Sequence, residues 1–336
     1  MRGSPNPDAA LVMNAVNGAS RRHVRPCSPN LPARKVARLH QSGVRLLNLS
    51  DNLKGALLMM CSMAAFTLND TFVKLLGPQV PLFQMLFLRG VASTVLIFGL
   101  ARALGPIRLW FPARDWGLVS LRTGAEIAAA YFFITALYHM PIANVTAVLQ
   151  VLPLTVTLGG ALFFGEAVGW RRMSAILAGF FGMLLIVRPG PDGFDIYAVY
   201  ALAAVGAVTV RDLSTRRMSA QVPSMTVTLA ASLGVTVFSG VASLGVDWVA
   251  LDGRQAGLLA GASVFILGGY LFSVLVMRSG DISFTAPFRY TGLLWALVLG
   301  LVVFGDWPDT LTLIGSAVVV VAGVFTLIRG RRLAQA

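Results

Sequence analysis

Charge is what this chain has least of. Asp, Glu, Lys and Arg make up 12% of its 336 residues, about half of the one-quarter share usual in soluble domains. Against that, 56% of residues are hydrophobic and the mean hydropathy is +0.75. A water-soluble globule is excluded, and the chain's main solvent is lipid. Acid is scarcer than base, with 14 acidic side chains against 27 basic ones and a net charge of +13. An excess of that size suits nucleic acid, yet Lys and Arg fall in tails and short loops, where topology signals belong, so no nucleic-acid partner is expected. The two cysteines, Cys27 and Cys61, make neither a disulfide framework nor a metal cluster. His23, His40 and His139 show no ligand spacing. There is no glycine-rich phosphate loop ending in Lys-Ser/Thr. No paired Ser/Lys, Asp/Asp or metal-binding His stands inside an apolar stretch, so a membrane hydrolase lacks its parts. Repeated polar stripes, the mark of a channel, are also missing. No catalytic residue, cofactor or metal is expected.

What the chain does have is long apolar runs. Ten are read, at 53–76, 82–101, 117–138, 142–164, 171–187, 195–214, 222–245, 255–277, 283–304 and 309–328. Each has the length of a membrane-crossing helix, and strand spans would be half as long and alternate in polarity. Two runs copy one another. Asn144–Glu166 reads NVTAVLQVLPLTVTLGGALFFGE and Ala286–Asp306 reads APFRYTGLLWALVLGLVVFGD. Displaced by 140 residues, Phe164-Gly165-Glu166 falls on Phe304-Gly305-Asp306, Gly160 on Gly300 and Gln150 on Tyr290. The ten runs thus form two fives. The fold class expected is an all-α polytopic membrane protein of ten transmembrane helices. Ahead of them, residues 1–51 are rich in Arg, Pro, Ser and Asn and lack a sustained apolar period. They read as a disordered basic cytoplasmic tail.

Lys and Arg fix the orientation. Loops on one side and the C-terminal tail carry Arg102, Arg108, Arg114, Arg171, Arg172, Arg211, Arg216, Arg217, Arg278, Arg329, Arg331 and Arg332, whereas the other side carries Arg188 and Arg254. Both termini are expected in the cytoplasm, which agrees with an even number of spans. Five spans per copy is odd, so the second copy enters from the opposite face. The expected organisation is a first repeat at 52–190, an inverted second repeat at 191–329 and a basic tail at 330–336. Inverted repeats build many secondary transporters, with the site near mid-membrane between the halves.

ALYHMPIANVTAVLQVLPLTVTLGGALFFGE (Ala136–Glu166) and its copy ISFTAPFRYTGLLWALVLGLVVFGDWPD (Ile282–Asp309) resemble the EamA-type carriers of the drug/metabolite transporter superfamily. The resemblance extends from Lys54 to Arg329. It looks nearest to a proteobacterial branch that includes riboflavin and S-adenosylmethionine carriers. It implies a multi-pass protein of the bacterial inner membrane, driven by protons or a solute gradient and not by ATP. It further implies a small organic solute, with riboflavin uptake as the leading expectation and export of amino acids or metabolites, or S-adenosylmethionine exchange, as the alternative. The chain is expected as a monomer or homodimer.

Polar groups inside the spans mark candidate sites, because charge at membrane depth turns towards protein or a watery cavity. Asp70 and Lys74, four apart on one helix face, are expected to meet Arg89 near the outer ends. Asp70 is read as pairing with Arg89 or Lys74, either as a structural clasp or as a gate. Arg122 and Glu126 repeat that spacing in span three, with Glu126 roughly 15 Å deep by helix rise. Glu126 is the candidate coupling or substrate-binding carboxylate, and a local salt bridge with Arg122 is the alternative. Asn69, Asn144 and Gln150 offer amides. Tyr131, Tyr270, Tyr290 and Trp295 offer rings, and Arg289 lies beside Tyr290. If they converge, such groups suit a planar heterocycle; taken singly, each aromatic suits helix packing.

Overall fold

The computed structural model describes residues 51–104, 110–166, 168–188, 195–219, 221–276 and 282–334. The expected disordered tail, with Cys27, His23 and His40, lies outside them, as do Arg108 and Arg278. Residues 49–336 form one compact unit, built among the described residues entirely of helices.

Among the described residues, ten helices are long and apolar enough to cross a membrane. In chain order the spans are Asp51–Leu76, Leu82–Leu104, Ala113–His139, Ile142–Phe164, Trp170–Val187, Ile196–Arg217, Ser224–Gly245, Gly253–Val276, Ala286–Phe304 and Thr310–Ala334. The tenth helix runs on to Ala334, through most of the segment read as a separate tail. Large apolar side chains such as Leu162, Phe181 and Val302 lie exposed, and on a spanning helix that surface belongs to lipid.

Local chemistry sets the boundaries. Pro112, Pro141 and Pro223 stand just before helices three, four and seven, where a missing N–H costs nothing. Asp252 and Gln255 cap the eighth helix reciprocally, each side chain accepting from the other's backbone N–H, at 2.7 and 3.1 Å. Two spans are broken. The fourth divides into Ile142–Leu149 and Leu152–Phe164, with Gln150 at the break and Pro153 just beyond it. The ninth starts as a tight 3₁₀ turn, Ala286–Tyr290, containing Pro287, and becomes α-helical from Thr291. Both end on a left-handed glycine, Gly165 at φ 67° and Gly305 at φ 69°, a conformation that glycine adopts without strain. The next residue's N–H then returns to a glycine carbonyl, Glu166 to Gly160 at 3.3 Å and Asp306 to Gly300 at 3.0 Å.

Each helix finds its main partner in the other half of the chain. The first packs against the eighth, the third against the sixth, the second against the seventh and the fifth against the tenth. The fifth and tenth cross so closely that a side chain on Gly182 would strike the Gly315 carbonyl, and one on Gly315 the Gly182 carbonyl. Small residues permit that approach where lipid supplies no hydrophobic drive between helices.

Candidate functional site

A cavity of about 90 Å³ lies between spans two, three, seven and eight. Glu126 enters it from the middle of span three, 13 residues from either end of Ala113–His139, or ~20 Å of helix each way. Arg89 and Ser93 reach it from span two, Arg122 from one turn below Glu126, and Tyr270 from span eight.

Glu126 is clamped at ion-pair distance between two arginines. Its Oε2 lies 3.9 Å from Arg122 Nη1 and 3.5 Å from Arg211 Nη1. Arg211 is held in turn by Asp212, at 2.9 Å, and Arg122 donates through Nε to Thr215 Oγ1 at 3.1 Å. Span six therefore props both partners of Glu126 from behind. Neither contact to Glu126 is short enough for a hydrogen bond. Ser93 Oγ, Arg122 Nη1 and Glu126 Oε2 are buried with no hydrogen-bond partner, and all three residues line this cavity. Buried polar atoms are almost always satisfied by protein or ordered water, so these three mark the polar part of the cavity wall.

The cavity wall is matched between the halves. Span seven begins 142 residues after span two, at Ser224 and Leu82, and span eight 140 after span three, at Gly253 and Ala113. At the first offset Leu86 corresponds to Thr228, Arg89 to Ala231, Gly90 to Ser232 and Ser93 to Val235. At the second, Glu126 corresponds to Ile266 and Ala130 to Tyr270. Every one of these residues lines the cavity. The placement is symmetric and the chemistry is not, because Arg89, Arg122 and Glu126 all come from the first half.

The other expected site residues are dispersed. Asp70 does not pair with Arg89 or Lys74, which corrects the expectation. Asn69 stands between, its Nδ2 donating to Asp70 Oδ1 at 2.9 Å while its Oδ1 accepts from Arg89 Nη1 at 3.2 Å. Lys74 turns away to the end of span three, donating to the Leu137 carbonyl at 3.1 Å and to the Met140 carbonyl. Four-residue spacing put Asp70 and Lys74 on one face, but the open carbonyls of a helix end attract the ammonium. Tyr131 stacks on Phe83 at 5.9 Å. Gln150 lies against Gly292. Tyr290 is buried, its hydroxyl lying where a side chain on Gly323 would sit. The Asn144 Oδ1 is buried without a partner, Arg289 is exposed, and Trp295 is 37% exposed. None of these six lines the cavity. Sequence reasoning missed Ser93 and Arg211. Ser93 is a lone hydroxyl one turn beyond Arg89. Arg211 was read only as a topology charge, though it stands six residues before the last arginine of its helix.

The two ends of the bundle carry matched groups. Arg216, at the end of span six, pairs with Glu166 at 2.5 Å and stands 5.6 Å over the Phe164 ring. Lys74, near the end of span one, stands 5.4 Å over Phe304 and feels the charge of Asp306. Lys74 and Arg216 are 142 residues apart, and Phe164 and Phe304 are 140 apart.

Residues 53–188 match the EamA-like transporter family. The chain is 28% identical over 279 residues to a pseudopaline exporter of Pseudomonas aeruginosa, covering 80% of this chain and 94% of that protein. It is 27% identical over 277 residues to a riboflavin transporter of Vibrio cholerae (81% and 92% covered). With an S-adenosylmethionine uptake transporter of Rickettsia bellii it shares 24% identity over 277 residues (80% and 91% covered). A solved crystal structure superposes with a TM-score of 0.58 at 18% identity, covering 83% of this chain and 98% of its own; at that identity the likeness is one of fold alone.

Proposed function

We infer, from the EamA-type superfamily membership that these matches support, that the chain is a secondary transporter, not an enzyme. It moves a small organic metabolite across a membrane by alternating access. The observation that carries this reading is the cavity wall: a central space lined at matched positions of both halves, with buried charge facing it. The cross-half helix pairing and the matched glycine ends of spans four and nine support two inverted five-helix repeats. The domain limits are then those proposed above, 52–190 and 191–329. Two equivalent packings of the halves open the cavity to one face or the other. Arg89, Arg122, Glu126, Ser93 and Tyr270 form the binding site, and Asn69, Asp70 and Arg211 position it. The bacterial inner membrane is proposed on the likeness to bacterial carriers, and cytoplasmic termini on the arginine asymmetry of the loops.

A planar heterocycle, riboflavin above all, is the second reading, and the Vibrio cholerae relative favours it. Its expected ring-binding groups, Gln150, Tyr290 and Trp295, lie away from the cavity. At about 90 Å³, the space is also smaller than the ~150 Å³ that accommodates a benzene.

Counterflow in proteoliposomes tests the carrier reading. A carrier accumulates labelled solute only when unlabelled solute is trapped inside, and a channel does not. Growth of a riboflavin auxotroph lacking its own importer, on low riboflavin, decides for or against riboflavin.

A further inference from the structure

We propose that the end of span six binds an acidic phospholipid, its phosphate on Arg216 and Arg217 and an acyl chain along Leu162 and Phe163. The site is separate from the central cavity, which neither arginine lines. Both guanidiniums stand over one ring at the end of span four. The Phe164 centroid lies 5.6 Å from the guanidinium carbon of Arg216 and 4.7 Å from that of Arg217. Stacking at such distances holds a guanidinium against the ring face. Arg217 is held further by the Phe163 carbonyl, to which its Nη2 donates at 3.3 Å; open carbonyls are what a helix end offers. Two long side chains of like charge are thus kept side by side instead of spreading into water.

Carboxylate is short at this end. Among the described residues, Asp115 accepts from the Ser219 backbone N–H and hydroxyl, at 3.2 and 2.6 Å. Glu126 and Asp212 are engaged with Arg122 and Arg211. Glu166 is left, and it pairs with Arg216. The next helix brings more base and no acid, since span five opens on Trp170-Arg171-Arg172 with no acidic residue in its first turn. Arg172 Nε is buried there without a hydrogen-bond partner. The surroundings then choose the anion. Leu162 and Phe163 are 72% and 70% exposed, a surface that belongs to lipid on a spanning helix. Trp170 is exposed, with Arg171 5.3 Å over its ring, as suits an aromatic at headgroup level. An anion that reaches Arg216 and Arg217 therefore has apolar surface beside it, which a phospholipid uses and a soluble phosphate does not. Guanidinium forks take phosphate oxygens in pairs, and acidic headgroups gather at basic clusters beside span ends.

The test is native mass spectrometry of the purified full chain, released from micelles titrated with phosphatidylglycerol, phosphatidylcholine or glycerol 3-phosphate. Phosphatidylglycerol should stay bound at collision energies that strip phosphatidylcholine, and glycerol 3-phosphate, a head without chains, should not be retained. Arg216→Gln with Arg217→Gln should raise the phosphatidylglycerol concentration for half-occupancy about tenfold or more. Arg102→Gln with Arg114→Gln removes the same charge from exposed positions of spans two and three, and should change it by less than about twofold. If the first pair does not accumulate, Arg217→Lys, which keeps the charge and loses the planar fork, should still weaken binding about threefold. Phosphatidylcholine held as firmly as phosphatidylglycerol would overturn the proposal, as would no retention of phosphatidylglycerol. Equal weakening by the two double variants would reduce the effect to bulk charge and end the built site. Binding unmoved by Arg217→Lys and by the Arg216, Arg217 pair would do the same. Glycerol 3-phosphate retained as well as phosphatidylglycerol would make this a site for soluble phosphate and end the lipid reading.

Discussion

At the scale of single residues, the consequential arrangement is a carboxylate placed between two arginines but bonded to neither. In the proposed site Glu126 is positioned by Arg122 and Arg211, the latter from span six. Arg211→Gln should therefore raise the solute concentration for half-maximal transport about tenfold, roughly 1.4 kcal/mol of binding, at unchanged membrane abundance. A substitution that left that concentration unaltered would remove Arg211 from the site. Trp295 makes the opposite case. It offers a stacking face by composition, yet its side chain is more than a third exposed and does not line the cavity. Trp295→Ala should leave apparent affinity within about twofold, since the change removes no contact to the cavity; transport assays at matched protein levels check this.

Among the elements, we propose that the span ends bias which way the bundle opens. Arg216 locks one end onto Glu166 and Phe164, and Lys74 locks the other onto carbonyls of span three and the Phe304 ring. On the proposed inverted repeats, groups matched in sequence stand at opposite faces, because span six would end on the face where span one begins. An element with two packings is biased by whichever clasp is weakened. With Ser93→Cys as reporter in a chain otherwise free of cysteine, Arg216→Ala should raise labelling from the face bearing Glu166. Lys74→Ala should raise it from the face bearing Asp306. Equal labelling from both faces in either variant would mean that these contacts are structural only.

For the molecule as a whole, the pairing of each helix with one in the other half has a consequence for assembly. Neither half buries its helix faces alone, so residues 49–190 or 191–336 expressed separately should fail to accumulate in the membrane, and co-expression should restore both. Stable accumulation of one half by itself would contradict the interleaved packing. Orientation is checked independently. Reporter fusions after Arg114 and Arg217 should read as cytoplasmic, and fusions after Pro78 and Asp252 as external. An external signal at Arg217 would break the inverted order of the repeats.

The sequence alone determined the number of spans, their ends to within a few residues, and the 140-residue copy. These follow from solvent and covalent geometry: lipid demands apolar runs of fixed length, proline marks helix starts, and a left-handed turn calls for glycine at 165 and 305. It also named Arg89, Arg122, Glu126 and Tyr270 among its candidate site residues, with ion pairing or helix packing left open as the alternative for each. Which of the polar residues meet was decided only by tertiary structure. Helix periodicity places a side chain on a face of its own helix and says nothing of the face opposite. Thus Arg211, a loop charge by position, became a partner of Glu126, while Lys74 found carbonyls instead of Asp70. Tyr290 and Trp295, near the charged Arg289 in sequence, ended buried against Gly323 and partly exposed, neither lining the cavity, because span nine packs mainly against span one.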